Sequence, residues 1–200
     1  EATDAHARQY MLAAERMARE ARGYLAGLAT RACDDAEPRA CLAGLVAEVG
    51  RRVWRRPLVQ SERARLLAVA ESARTAGVVD SMQLALEVML QAPQFLYRLE
   101  VGAADVAPGA ALVPLTDYEI ATRLSYFLWG TTPDDALLDA ADRHELHAAS
   151  EIRAHAKRML EDTRARAAVA AFHREWLGYE GVLAIARDQG AYPGFTPEAA

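Results

Sequence analysis

Apolar residues return every three or four positions along most of the chain, and no stretch sustains the period-two alternation of a half-buried strand. Tyr10, Ala14, Met17, Ala18 and Ala21 predict a first helix over 4–22, with Gly23 and Gly27 loosening its end. Leu42, Leu45, Val46, Val49, Val53 and Trp54 form a second stripe. Pro57 is expected to end that helix, because proline cannot continue it and pushes Arg56 away from α geometry. A third helix is predicted over 60–76, with Leu66, Leu67, Val69 and Ala70 inward and a stop near Gly77. The fourth, over 79–92, carries Met82, Leu86, Met89 and Leu90; Pro93 breaks or kinks it, and Phe95-Leu96-Tyr97 read as an aromatic turn of helix beyond.

Residues 101–114, with Gly, Ala, Asp and two prolines, read as a linker. Thr116-Asp117-Tyr118-Glu119 then forms a capping box, in which the Thr hydroxyl accepts from the third helical amide and Glu119 reaches back to the cap amide. Ile120, Leu124, Phe127 and Leu128 are expected to line one face of the helix, and Gly130 to end it. Thr132-Pro133 is expected to start another, since proline suits a first helical position, with Leu137, Leu138 and Ala141 inward. Two more are predicted over 150–161 and 163–177, the last burying Val169, Phe172, Trp176 and Leu177. The pattern therefore predicts an all-α chain, a bundle of about eight helices in two packed sub-bundles.

Composition agrees, because Ala, Leu, Arg and Glu dominate and lose little entropy on entering a helix. Two hundred residues suffice for one large domain or two small ones. Lys157 is the only lysine, which reads as coding bias before function. Residues 1–100 hold 14 arginines against 13 acidic residues, and 101–200 hold 9 basic against 15 acidic. Neither half is a basic footprint, so nucleic acid is not an expected partner. No apolar run reaches the ~18 residues of a membrane span. The chain opens at Glu1 without a signal peptide, as expected of a processed or excised piece of a longer protein.

Cys33 and Cys41 flank the polar stretch Asp34-Asp35-Ala36-Glu37-Pro38-Arg39-Ala40, which reads as a surface loop between helices. A disulfide closing it would remove roughly 2–3 kcal/mol of unfolded-chain entropy and imply an oxidising compartment; the alternative is two partly buried thiols. The spacing excludes c-type haem attachment, which needs two intervening residues and a following His, whereas Leu42 follows Cys41.

Candidate chemistry is sparse. His144-Glu145-Leu146-His147 is not a zincin motif, whose histidines are separated by three residues rather than two. A metal-dependent hydrolase would use His144 and His147, with His155 as third ligand and Glu145 as base. The plainer reading is a solvated loop between helices, and no metal site is expected. His155 and Met159 share a helix face and so cannot approach a haem from opposite sides. Arg51, Arg52, Arg55 and Arg56 surround Trp54 as a basic cluster that could hold an anion, a haem propionate or an acidic partner. Against that, arginines in a last helical turn complement the helix dipole, and Glu48 and Glu62 are at hand as partners. His173 reads as a packed or edge-exposed residue, and Asp134 and Asp135 as first-turn acids. No phosphate loop, nucleophile elbow or catalytic triad emerges.

These residues resemble a known tandem. Gly50-Arg51-Arg52, Trp54-Arg55-Arg56-Pro57-Leu58 and Glu62 are similar to the first of two helical domains found together in large exported proteins of planctomycetes and myxobacteria, and Gln91 to Arg98 resemble the end of that domain. Leu115-Thr116-Asp117-Tyr118-Glu119, Arg123 to Gly130 and Pro133-Asp134-Asp135 resemble the start of the second, and Phe172 and Trp176-Leu177-Gly178 its later helix. The resemblance implies a tail of a preceding domain over 1–30, a first domain over 31–100, the linker, and a second domain over 115–200 that stops short near Phe195-Thr196-Pro197. Val59 stands where the family usually has a capping Thr, so Ser61 is expected to cap the third helix. The family's function is unknown, and its domains accompany c-type cytochrome modules. The resemblance thus implies no cofactor in this chain, c-type haem in neighbouring domains, and those domains as partners. The cysteine pair also resembles the family's pattern.

Overall fold

The computed structural model describes residues 4–33, 38–103, 112–178 and 190–191. All regular structure among them is helical, as ten α-helices rather than eight. They are α1 (Asp4–Glu20), α2 (Arg22–Ala32), α3 (Pro38–Val53), α4 (Gln60–Ser72), α5 (Val78–Gln91), α6 (Pro93–Leu96), α7 (Asp117–Trp129), α8 (Asp135–Asp142), α9 (Ala149–Leu160) and α10 (Thr163–Leu177). One 3₁₀ turn, Arg74–Ala76, follows α4.

The additional helices lie where the pattern was weakest. Gly23 and Gly27 do not end a helix but sit inside α2, whose Leu25 and Leu28 are buried. Packing of those leucines outweighs the roughly 1 kcal/mol that each glycine costs a helix. In α1 the buried residues are Ala14 and Ala18, while Tyr10 and Met17 are about half exposed. The short α6 is the expected aromatic turn, with Pro93 at its first position. Helix α3 ends at Val53, four positions before Pro57, and Arg55 turns the chain in the left-handed region at φ 61°.

Buried apolar side chains form two clusters. The larger gathers residues from α1 through α5, including Leu25, Leu45, Val46, Trp54, Leu66 and Met89. Helix α5 runs through its centre, packed by α1, α2, α3, α4 and α6. The smaller cluster joins Ala121, Trp129, Leu137, Leu146, Met159 and Ala165 around α7, which packs on α8, α9 and α10. Each core contains a tryptophan anchored in the same way. The Trp54 indole N–H donates to the Met89 carbonyl at 3.0 Å, and that of Trp129 to the Met159 carbonyl at 2.8 Å. Burial of so large a ring is favourable only when its one donor finds a partner.

The expected inward face of α7 is corrected at Phe127, and that of α10 throughout. On α7 the fully inward residues are Asp117, Ala121, Ser125 and Trp129; Ile120, Leu124 and Leu128 are half-buried, and Phe127 is 81% exposed. On α10 the only buried residue is Ala165, and Val169, Phe172, Trp176 and Leu177 all face outward.

The helix starts follow local chemistry. Thr116 accepts from the Glu119 amide, and Glu119 accepts from the Thr116 amide at 2.8 Å, completing the expected capping box. Helix α8 begins at Asp135 rather than at Pro133, because Asp134 is its cap and accepts from the Leu137 amide. Ser61 does not cap α4; Val59 is the cap residue, and Glu62 serves it by accepting the Val59 amide at 2.9 Å. Gly50 is required by close packing, since a Cβ there would lie 2.6 Å from Leu58 Cδ1.

Cys33 and Cys41 are joined by a disulfide with Cα atoms 5.2 Å apart, tying the end of α2 to the first turn of α3. Residues 34–37 of the intervening loop lie outside the described residues, as do 104–111 of the expected linker and the stretch around Phe195-Thr196-Pro197. The linker's two described ends are held together: Ala103 donates to the Pro114 carbonyl, and Glu119 accepts from the amides of Val101 and Gly102. No helix among the described residues is long and apolar enough to cross a membrane.

Candidate functional site

Three features carry chemistry: the arginine cluster, an apolar groove beside α10, and the loop between α8 and α9.

All four arginines of the cluster are engaged within the chain. Arg51 pairs with Asp139 and Asp142, and Arg52 pairs with Asp135 through both Nε and Nη2 at 3.0 Å while also meeting Glu48. Arg56 pairs with the nearly buried Glu62 at 2.8 Å. Arg55, only 5% exposed, donates to the carbonyls of Gln94, Tyr97 and Phe95 at the end of α6. Burial pushes the Arg55 guanidinium below its usual pKa, and the Tyr126 ring 5.9 Å away offers it a π face. Arg98 also lies over the Tyr126 ring, 4.6 Å from its centroid. Glu48 and Glu62 were the partners the sequence offered, and the acidic partner of Arg51 and Arg52 proves to be α8 of the same chain. Here the charge asymmetry between the halves becomes structural, since basic residues of α3 hold acids of α8. Arg52 holds the Asp135 carboxyl below the usual carboxylate range. Beside it the Tyr118 hydroxyl donates to Asp142; burial first, and then that bond, push its pKa up to about 12.

The groove occupies about 790 Å³ between residues 98–100, α7 and α10. Tyr126, Phe127, Leu160, Val169 and Phe172 give it an apolar wall, and Arg98 and Glu119 mark its polar end. Phe127, Phe172 and Trp176 are 81%, 61% and 69% exposed, a density of bare aromatic surface seen nowhere else among the described helices. Phe172 and Trp176 stack with centroids 5.9 Å apart, and His173 sits exposed beside them. Exposed apolar patches of this kind mark interaction sites more often than chance exposure.

The third feature is the loop that carries His144 and His147, expected as a solvated stretch between helices. His144 and His147 do lie in the loop between α8 and α9, as expected, but they converge on Asp117 at the first turn of α7. His144 Nδ1 and His147 Nε2 each stand 3.1 Å from Asp117 Oδ2. Asp117 is 4% exposed, and its other oxygen accepts from the Leu146 amide at 3.1 Å. Leu146 itself is fully buried, which pins the loop so that the histidines on either side of it emerge together. The residues earlier paired with these histidines go elsewhere. Glu145 pairs with Arg143, and His155 is not among the groups that meet. Burial holds His155 below its usual pKa, and its Nδ1 has no hydrogen-bond partner. Asp117 was passed over because its place in the capping sequence explained it already. The available signal was two histidines three apart around a core leucine.

All regular structure among the described residues is thus helical. Residues 41–100 match the family PSD5, described as a protein of unknown function (DUF1595), and residues 115–200 match PSD4, a protein of unknown function (DUF1592). No curated protein and no solved structure matches the chain.

Proposed function

We propose that this chain is a non-catalytic helical module of an exported, haem-linked redox protein, and that it packs against and orients a c-type cytochrome module of the same polypeptide. Residues 31–100 and 115–200 are its first and second domains, and residues 1–30 the tail of a preceding one. The observation that carries the reading is the bare aromatic face of α7 and α10, where Phe127, Phe172 and Trp176 stand in water with no covering element among the described residues. Support comes from the tandem order of the two family matches and from the Cys33–Cys41 disulfide, which is compatible with an oxidising compartment. The arginine cluster suits a positioning role, because Arg51 and Arg52 fix α8 against α3 and so set the direction in which the aromatic face points.

The test is made on the full-length polypeptide. Its reading frame should contain a Cys-x-x-Cys-His module, and hydrogen exchange should show the α10 segment better protected there than in the isolated chain. A frame without any haem-attachment sequence removes the redox reading and leaves a helical scaffold for protein or polysaccharide contact. Equal exchange of α10 in both forms would remove the packing role.

A further inference from the structure

We propose that Asp117, His144 and His147 bind one divalent first-row transition ion of the Zn²⁺ type. This goes beyond the packing role and does not depend on it.

The donor set is suitable, since imidazole nitrogen and carboxylate oxygen are the ordinary ligands of Zn²⁺, at about 2.0–2.2 Å. Tetrahedral bonds of that length place neighbouring ligand atoms roughly 3.3 Å apart. Both histidine nitrogens already stand 3.1 Å from Asp117 Oδ2, and the three ligand atoms lie within 4.8 Å of one another. Two of the three ligand-to-ligand spacings are thus those of a tetrahedral site, and the third lies within 4.8 Å. Three protein ligands leave a position for water, the pattern of open rather than structural sites.

Preorganisation points the same way. Asp117 is buried and oriented by the Leu146 amide, so one carboxylate oxygen is committed to the backbone and the other is aimed at the two rings. The rings themselves are exposed, with side chains 77% and 61% accessible. Their outward nitrogens can take up the proton when the inward ones coordinate, so the tautomer change costs little.

The backbone at His144 is the independent observation. The chain leaves α8 by a Schellman turn, in which the Glu145 amide donates to the Ala140 carbonyl and the His144 amide to that of Ala141. The residue between them must adopt left-handed geometry, and His144 does so at φ 56°. The ends of α7 and α10 place Gly130 and Gly178 in that conformation, as the absence of a Cβ favours. The only other non-glycine residue at positive φ among those described is Arg55, whose side chain holds four backbone carbonyls. Strain kept at a special position is a reason to look for what its side chain does. At His144 the side chain turns back over Asp117 and faces His147, with ring centroids 6.2 Å apart.

The competing account is a latch made of hydrogen bonds alone, with both rings donating to Asp117 Oδ2. Calorimetric titration of chelator-treated protein with Zn²⁺ separates the two, with Co²⁺ as a spectroscopic probe. The expected result is one equivalent bound, a visible Co²⁺ ligand-field band, and affinity falling about 100-fold or more in His144→Gly and in His147→Ala, since even outer-shell changes cost 10–100-fold. Both variants should keep the helical circular dichroism, and His144→Gly, which relieves the left-handed residue, should melt no lower than the parent without metal. Failure of the parent chain to bind Zn²⁺ saturably would leave only the latch. Undiminished binding in both variants would place the ion elsewhere and equally overturn the assignment.

Discussion

Helices α5 and α10 both carry an apolar stripe, yet among the described residues the stripe of α5 is enclosed and that of α10 is bare. Met82, Leu86, Met89 and Leu90 of α5 are at most 7% exposed, whereas Val169, Phe172, Trp176 and Leu177 of α10 are at least 53% exposed. The difference lies in the neighbours. Five helices pack on α5, while among the described residues α10 rests chiefly on α7 and α9, which bury Ala165 and leave the large residues outside. The tryptophans repeat the contrast, because Trp54 and Trp129 are buried with their indole donors satisfied and Trp176 is not buried. An apolar stripe reports that a helix wants a partner and does not say whether the partner lies in the same domain.

The sharpest break of this comparison is a pair of truncations read by urea denaturation of the chain. Met89→Ala removes a fully buried side chain from the centre of the larger core and should cost ~2–5 kcal/mol. Phe172→Ala should stay within about 0.5 kcal/mol, as surface substitutions do. A loss of several kcal/mol at Phe172 would mean that the face is packed in solution by the chain itself, and the contrast between α5 and α10 would collapse.

A second measurement contrasts a sheltered ion pair with an exposed one. Glu62 is 5% exposed and pairs with Arg56 through both oxygens, whereas Asp162 pairs with Arg164 at a more accessible place, its side chain 30% exposed. The Arg56 hydrogen bonds hold the Glu62 carboxyl below its usual range, with the Val59 amide adding to them. A depressed carboxylate pKa favours the fold above the unfolded value of about 4.3, and that contribution is lost as pH falls through the lower folded value. Glu62→Gln should therefore cost ~1.5–3 kcal/mol at neutral pH and flatten the stability profile below about pH 4.3. Asp162→Asn should cost less than ~1 kcal/mol at neutral pH, because solvent screens exposed pairs. Equal effects at the two sites would show that shelter is not what sets the strength of these pairs.

How far the sequence was legible follows the same division. The all-helical class, the Thr116 capping box and the Arg52–Glu48 and Arg56–Glu62 pairs could be read, because each depends on residues close together in the chain. Helix α2 was hidden by Gly23 and Gly27, since their local cost is visible and the burial of Leu25 and Leu28 is not. On α7 the misreading was confined to Phe127, which is larger than Ala121 and Ser125, while close helix packing selects the small residues for the innermost positions. The two histidines three apart were visible but their convergence on Asp117 was not, because it joins positions nearly thirty residues apart through a turn whose left-handed residue is not a glycine.

The smallest effect compares two helix starts built alike except for one hydroxyl. Helix α7 has Thr116 and Glu119, and α4 has Val59 and Glu62 in the equivalent positions. Both glutamates accept the cap amide, at 2.8 and 2.9 Å, but only Thr116 offers an oxygen to the third amide of its helix. At α4 that amide turns to the Val59 carbonyl at 3.0 Å. Thr116→Val should therefore cost about 1 kcal/mol, the usual value of an N-cap. Val59→Thr should return a similar or smaller amount, because Val59 is 55% exposed and gives up little packing. If Val59→Thr gains nothing while Thr116→Val costs the full amount, the carbonyl contact already satisfies the α4 amide. The hydroxyl of Thr116 would then matter chiefly through Glu119, to which it also donates at 3.0 Å, and thus through the hold of that carboxylate on Val101 and Gly102.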